Sequence, residues 1–208
     1  MKFALKPGVR GHASFERRDG VPVGRLRLDR WWDLTLELDG GRPADDRYRP
    51  LVVIGVNASV ADGEHDDRPS AKCTRFARRE GANGLVMVNL SPVITPYPTE
   101  IDRKVMPYGA DDRHWAAVDS ALSEAAVAVV AAWGKPPRGL ATYRERVARV
   151  QDIAQDVGVR LMCLGANGDG SPKHPLYLKG TTPLVPWSPH ASTATTGSRS
   201  QELLHDEA

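Results

Sequence analysis

The chain has 208 residues, 41% of them hydrophobic, and its 28 Lys and Arg nearly balance 26 Asp and Glu, leaving a net charge of +2. That length suits one domain with appendages and a sizeable core; so small a charge argues against a histone-like or polybasic binder while allowing a local basic groove. Only two cysteines occur, Cys73 and Cys163, with no CxxC pair, which excludes a zinc finger or a four-cysteine iron–sulfur cluster built from this chain's own ligands.

In chain order, residues 1–24 are rich in glycine and charge and read as a loosely structured leader. MKFALKPGVR lacks the apolar core of a signal peptide, and no run approaches the ~20 apolar residues of a membrane span. The expectation is a soluble, cytoplasmic protein in a reducing compartment, with no membrane partner. RLRLDRWWDLTLEL (25–38) alternates as one or two strands anchored by Trp31 and Trp32. GGRPADDRYRP is a polar linker into a first central strand, 51–56. After the loop ASVADGEHDDRP comes a short helix, SAKCTRFARREG, with Asp66 or Asp67 as its cap and Gly81 as its stop.

GLVMVNL (84–90) is the next strand, followed by the proline-punctuated SPVITPYP. DDRHWAAVDSALSEA reads as a helix with acids in its first turn, and AVAVVAAWG as an apolar strand ending at Gly134. YRERVARVQDIAQDVG is an amphipathic helix with Val147, Val150, Ile153 and Val157 on one face. VRLMCLG (159–165) is a fourth buried strand, GANGDGSPKHPLYLKG a Gly/Pro-rich loop, and TPLVPW an extended piece that docks back. The folded domain therefore spans 25–187, and the Ser/Thr-rich tail 188–208 is expected to be disordered.

Strand–helix alternation with near-continuous apolar strands implies an α/β fold whose mostly parallel sheet is covered on both faces. The expected architecture is three-layer α/β/α around a central, mostly parallel four-stranded sheet, with N-terminal edge strands added. In such folds ligands bind at the carboxyl ends of strands, near a switch in strand order. Four stretches occupy those ends: Asn57-Ala58-Ser59, Asn89-Leu90-Ser91, Trp133-Gly134, and the loop carrying His174.

Taken in that order, over roughly residues 50–180, the four stretches resemble the uracil-DNA glycosylase superfamily, in its mismatch-specific and thymine-DNA branch. GVNAS is similar to the water-activating Gly-x-Asn-Pro-Gly/Ser block, which Gly55, Asn57 and Ser59 match, with Ala58 in place of proline. LVMVNLSPV resembles the strand ending in the asparagine that reads the flipped base, here Asn89. VVAAWG resembles the apolar strand ending in Trp-Gly. SPKHPLYL is similar to the His-Pro-Ser-Pro-Leu loop, with Leu176-Tyr177 in place of Ser-Pro. In that loop His174 would donate to the leaving base, and Leu176 or Tyr177 would act as the wedge. The pattern also resembles an uncharacterised bacterial and phage family with Asn-Pro-Ser-Thr-Ala-Asp early and His-Pro-Leu-Tyr late.

The chemistry suits these residues. Cleavage of an N-glycosidic bond passes through a transition state with oxocarbenium character, so it needs a held water on one face and stabilisation of the leaving base. The Asn57 carbonyl can orient water, Asp62 stands near enough in sequence to assist it, and His174 can donate to the developing oxyanion. Asn89 presents a donor beside an acceptor, as base reading requires. Ser59, Ser171 and Lys173 can clamp phosphates, and Leu176 or Tyr177 can fill the gap in the base stack. The bland alternatives are a turn at Asn57, loop bridging by Asn89 and a solvated His174.

DGEHDD (62–67) offers Asp62, His65, Asp66 and Asp67 as metal ligands, or simply a solvated loop and a helix cap. Arg75, Arg78 and Arg79 form an exposed helix face or a phosphate track. No P-loop, GxSxG or GxGxxG occurs. The expectation is a monomeric, cofactor-free and metal-free monofunctional DNA glycosylase. It would flip a modified or mismatched base out of double-stranded DNA, for base excision or antiviral defence. The rivals are a non-catalytic nucleic-acid or nucleotide-binding module and an N-glycosidase acting on free nucleotides or RNA.

Overall fold

The computed structural model describes residues 1–188. Its main sheet contains β1 (Arg10–Arg18), β2 (Val21–Trp31), β3 (Pro50–Ala58), β4 (Gly84–Ile94), β5 (Val129–Ala131), β6 (Leu161–Cys163) and β7 (Val185–Pro186). The spatial order is β7-β6-β5-β3-β4-β2-β1. The central pairs β6/β5, β5/β3 and β3/β4 are parallel, and the flanking pairs β4/β2, β2/β1 and β6/β7 are antiparallel. The fold is mixed α/β, with four parallel strands inside antiparallel margins.

The apolar run of β3 serves two cores at once, because successive side chains leave a strand on opposite faces. Leu51 and Val53 join Leu85, Met87 and Val130 against Cys73 and Ala77 of helix α1 (Arg68–Arg79). Val52 and Ile54 join Val86, Val88 and Val129 on the other face. They pack there against Trp115, Val118 and Leu122 of α2 (Ala110–Ser123) and Val150 and Ala154 of α3 (Tyr143–Asp156). Asp67 caps α1 through a capping box with Ser70, so one of the two acids proposed for that role takes it.

Residues 1–24 are not a loose leader. Residues 10–24 form β1 and the start of β2, an antiparallel hairpin continuous with the sheet. Asp19 and Gly20 both hold positive φ, 51° and 79°, which is the Asp-Gly turn chemistry that closes two-residue hairpins. Phe3–Ala4 pairs with His65–Asp66, tying the N-terminus to the acidic loop. The hairpin was hidden because its polar residues are buried in pairs: Arg27 lies between Asp29 and Glu124 of α2, and Arg30 binds Asp66.

The central strands also differ in length from their sequence reading. β3 runs past Val56 to include Asn57 and Ala58, and β4 runs to Ile94, because the two strands hold each other in register there. Gly55 opposes Asn89, Asn57 opposes Ser91, and a bulge precedes Ala58 opposite Ile94. β5 and β6 are ladders of only three residues each. The piece TPLVPW docks back as expected, its Val185–Pro186 pairing with Met162–Cys163. No helix among the described residues is long and apolar enough to cross a membrane. The expectation for the tail falls, from residue 189 on, outside the described residues.

Candidate functional site

From β3 the chain crosses to β4 on one side and then returns to β5 on the other. That reversal leaves a crevice at the carboxyl ends of the parallel strands, the usual ligand position in α/β sheets. A cavity of about 450 Å³ opens there. Gly55, Asn57 and Ser59 from β3 and its exit, Asn89 from β4, Trp133-Gly134 after β5, and His174 and Tyr177 after β6 all line it. Segments far apart in sequence thus contribute to one wall.

Asn57 is still inside the sheet. Its Nδ2 donates to Thr95 O at 2.7 Å and to Ala58 O at 2.9 Å, tying the end of β3 to the loop after β4. Among the described residues nothing donates to its Oδ1, which is left as an oriented acceptor in a half-buried position. Asn89 is 2% exposed. Its amide is satisfied when Nδ2 faces Asn57 O at 2.9 Å and Val88 O at 3.3 Å, an orientation set by the hydrogen-bond network. Both N–H groups are then spent on the backbone, and Asn89 can present only an acceptor, rather than the expected donor–acceptor pair. Gly55 makes room for this amide, since a Cβ at 55 would lie 2.6 Å from its terminal atom.

His174 caps the short 3-10 turn Pro175–Tyr177 by accepting from Leu176 N at Nδ1, 3.2 Å away. That bond leaves the ring proton on Nε2, making a neutral imidazole a hydrogen-bond donor. Burial holds its pKa below the usual histidine value, against a smaller opposing pull from Asp67. Tyr177 stands 85% exposed beside it, ring centroids 5.8 Å apart. Trp133 is buried and meets Trp187 edge-on at 5.0 Å. Tyr143 Oη donates to Gly134 O at 2.8 Å and fixes the turn after β5.

Other expected site residues are not part of this wall. Asp62 accepts from Lys2 Nζ and from the amides of Glu64 and His65, and these contacts hold its carboxyl well below the ordinary range against the opposing effect of burial. It organises its own loop. Ser171 is buried in the 167–171 turn, donating to Asp169 and accepting from Asn167. Lys173 is exposed and outside the lining, and Leu176 lines a neighbouring depression with Ser59 and Pro69. In the acidic loop Asp66 binds Arg30 and Asp67 caps α1, so neither is a free ligand. Arg78 stacks on Trp32, and Arg79 donates to the carbonyls of Gly180 and Thr182, holding the C-terminal segment rather than forming a track.

Two charged lining residues, Arg25 and Lys135, have no counterpart among the expected site residues. Lys135 follows the Trp-Gly block and is legible as a strand-end cation; nothing local marks Arg25. No Asp or Glu lines the cavity among the described residues, so its charged groups are all cationic. Neither the curated proteins nor the solved structures include a match to this chain. A family model does match, from Arg25 to Leu176, an interval that starts at the buried arginine and takes in the wall residues up to His174, leaving out Tyr177. The chain therefore belongs to the family described as "Protein of unknown function (DUF1643)".

Proposed function

We propose that this protein is a monofunctional DNA glycosylase of the uracil-DNA glycosylase type, acting on an extruded base in duplex DNA. The observation that carries the reading is the meeting of Asn57, Asn89 and His174 in one cationic cavity at the strand ends. The central order β4-β3-β5-β6, with α1 on one face and α2 and α3 on the other, supports the three-layer arrangement that the resemblance implies.

In this mechanism Asn57 Oδ1 holds the water that attacks C1′ of the sugar. The N-glycosidic bond breaks with its electron pair on the base, His174 Nε2–H stabilises the resulting oxyanion, and the proton that the water loses on forming the C1′ hydroxyl passes through solvent to the departed base anion. Asn89, restricted to accepting, selects a base that turns an N–H toward it, as pyrimidines do through N3–H or an exocyclic amine. The exposed Tyr177 is the better wedge of the two candidates. The protein works as a cytoplasmic monomer without a cofactor, in repair or in defence against modified phage DNA.

The test is release of abasic sites in EDTA from duplexes carrying uracil, mismatched thymine, or hydroxymethylated or glucosylated cytosine. Alkali-labile breaks are expected with wild type. His174→Ala should lower the rate by about 10²–10³, the usual loss for one oxyanion donor, and Asn57→Ala should abolish it. A second reading draws on the amides of Asn57 and Asn89, whose nitrogens both bind the backbone: a nucleotide-binding module without cleavage. It predicts DNA binding that survives Asn57→Ala and no breaks on any substrate.

A further inference from the structure

Arg25 is 1% exposed yet lines the cavity. Its Nη1 donates to Ala61 O at 2.9 Å and lies 3.4 Å from Ser59 O and Oγ. Its buried Nε has no partner, and among the described residues nothing accepts from Nη2. Those two nitrogens form the side-on edge with which a guanidinium grips two oxygens of one anion.

The other buried arginines of β2 are matched: Arg27 by Asp29 and Glu124, Arg30 by Asp66. Arg25 has no carboxylate paired with it among the described residues. Asp67 and Asp62, whose charges reach it, are committed to the α1 cap and to Lys2. Desolvation accordingly draws its pKa down to about 10. Burying an unpaired cation is costly, and the fold uses a backbone irregularity to do it.

Across the hairpin, Ser14 opposes Arg27 and Phe15 opposes Arg25, leaving Leu26 as an extra residue, and the pairing with β4 shifts over the same stretch. In a regular strand Arg25 and Arg27 would share a face. The bulge sends Arg27 to α2 and turns Arg25 toward Ser59 and Ala61, the side on which Arg30 meets Asp62 and Asp66. Re-aiming a side chain beside a functional cleft is a recurrent use of bulges.

We propose that Arg25 is the anion anchor of this cavity, binding through its free edge a phosphate of the nucleotide whose base enters, with Ser59 and Lys135 alongside. The inference rests on the nucleotide-binding part of the reading above, not on bond cleavage. The full chain is titrated with thymidine, thymidine 5′-monophosphate and the phosphodiester TpT, by calorimetry and thermal shift. Wild type should prefer a phosphate-bearing ligand over thymidine by at least about tenfold, the scale of a hydrogen-bonded charge pair. Preference for the monophosphate alone marks a free nucleotide; preference for TpT marks a nucleic-acid backbone.

Arg25→Met should bring the ratio of phosphate-bearing ligand to thymidine affinity, measured within the variant itself, to about one, and Arg25→Lys, a point charge, should keep only part of the preference. The proposal is overturned if wild type shows no preference or if folded Arg25→Met retains it. Should the methionine variant not melt cooperatively, an undiminished preference in Arg25→Lys overturns it instead. An intact phosphate preference in a protein that makes no abasic sites removes the glycosylase and leaves Arg25. An active glycosylase whose Arg25→Met variant binds phosphate normally removes Arg25 alone.

Discussion

Gly55 and Asn89 face each other across β3 and β4, and the asparagine amide occupies the space a side chain at 55 would need. Gly55→Ala should therefore push Asn89 off the Asn57 carbonyl. The expected cost is about 1–3 kcal/mol, typical of overpacking, seen as a lower urea midpoint with unchanged slope, together with slower base release. His114 is a second buried residue behind the site. It lies by the backbone of Asn89 and Leu90, with Asp111 and Arg146 nearby, and neither ring nitrogen has a hydrogen-bond partner in the described residues. Burial lowers its pKa from 6.5 to about 4, and Arg146 adds to the effect. The unfolded chain then binds more protons than the folded one, so stability is full above pH 6.5 and falls as pH drops toward 4. At about 1.4 kcal/mol per unit this amounts to roughly 3 kcal/mol. Urea titrations across that window should show the slope in wild type and a flatter profile in His114→Leu.

At the scale of elements, β2 is the strand that joins the N-terminal hairpin to the helical face. Arg27 donates to Glu124 of α2 at 2.6 and 2.9 Å and to Asp29 at 2.8 Å, almost out of reach of water. Asp29→Ala leaves Arg27 held by the Glu124 carboxylate and should cost about 1–3 kcal/mol in chemical denaturation, the range for a lost buried hydrogen bond to a charged group, beyond a surface substitution. The same strand explains what the sequence concealed. Its alternation of Arg and Leu looks like a half-solvated edge, yet Arg25, Arg27, Asp29 and Arg30 are all buried. The Asp19-Gly20 turn is a hairpin signal that the reading of residues 1–24 as a leader passed over, and the partners of the arginines lie at the end of α2 and in the 59–66 loop, where nothing in the local pattern names them.

Across the whole molecule, stability concentrates where the two apolar layers share the parallel strands. Amides of Val52, Ile54, Val86 and Val88 should exchange most slowly, close to the global unfolding rate. Those of the marginal strands β1 and β7 should exchange earlier through local opening. Hydrogen exchange followed by mass spectrometry or NMR checks this ranking. Protection in β1 equal to that in β3 would mean that the hairpin opens only with the core.

The sequence alone determined the central strands, the three helices and the carboxyl ends at which to look, because burial on two faces demands continuous apolar runs and amphipathic helices demand their period. Asn57 and Asn89 were visible as the polar residues that close apolar runs, although both strands continue past them, and His174 as part of the loop that follows the fourth strand. Tertiary structure decided which of their atoms remain free, since the acceptors that fix both asparagine amides and the amide that fixes the His174 tautomer come from backbone folded beside them. It also removed Asp62 and Ser171 from the site by giving them nearer partners. And it brought Arg25 in, because a single unpaired residue in β2 reverses the face of a side chain, an event that leaves no mark on the order of the amino acids.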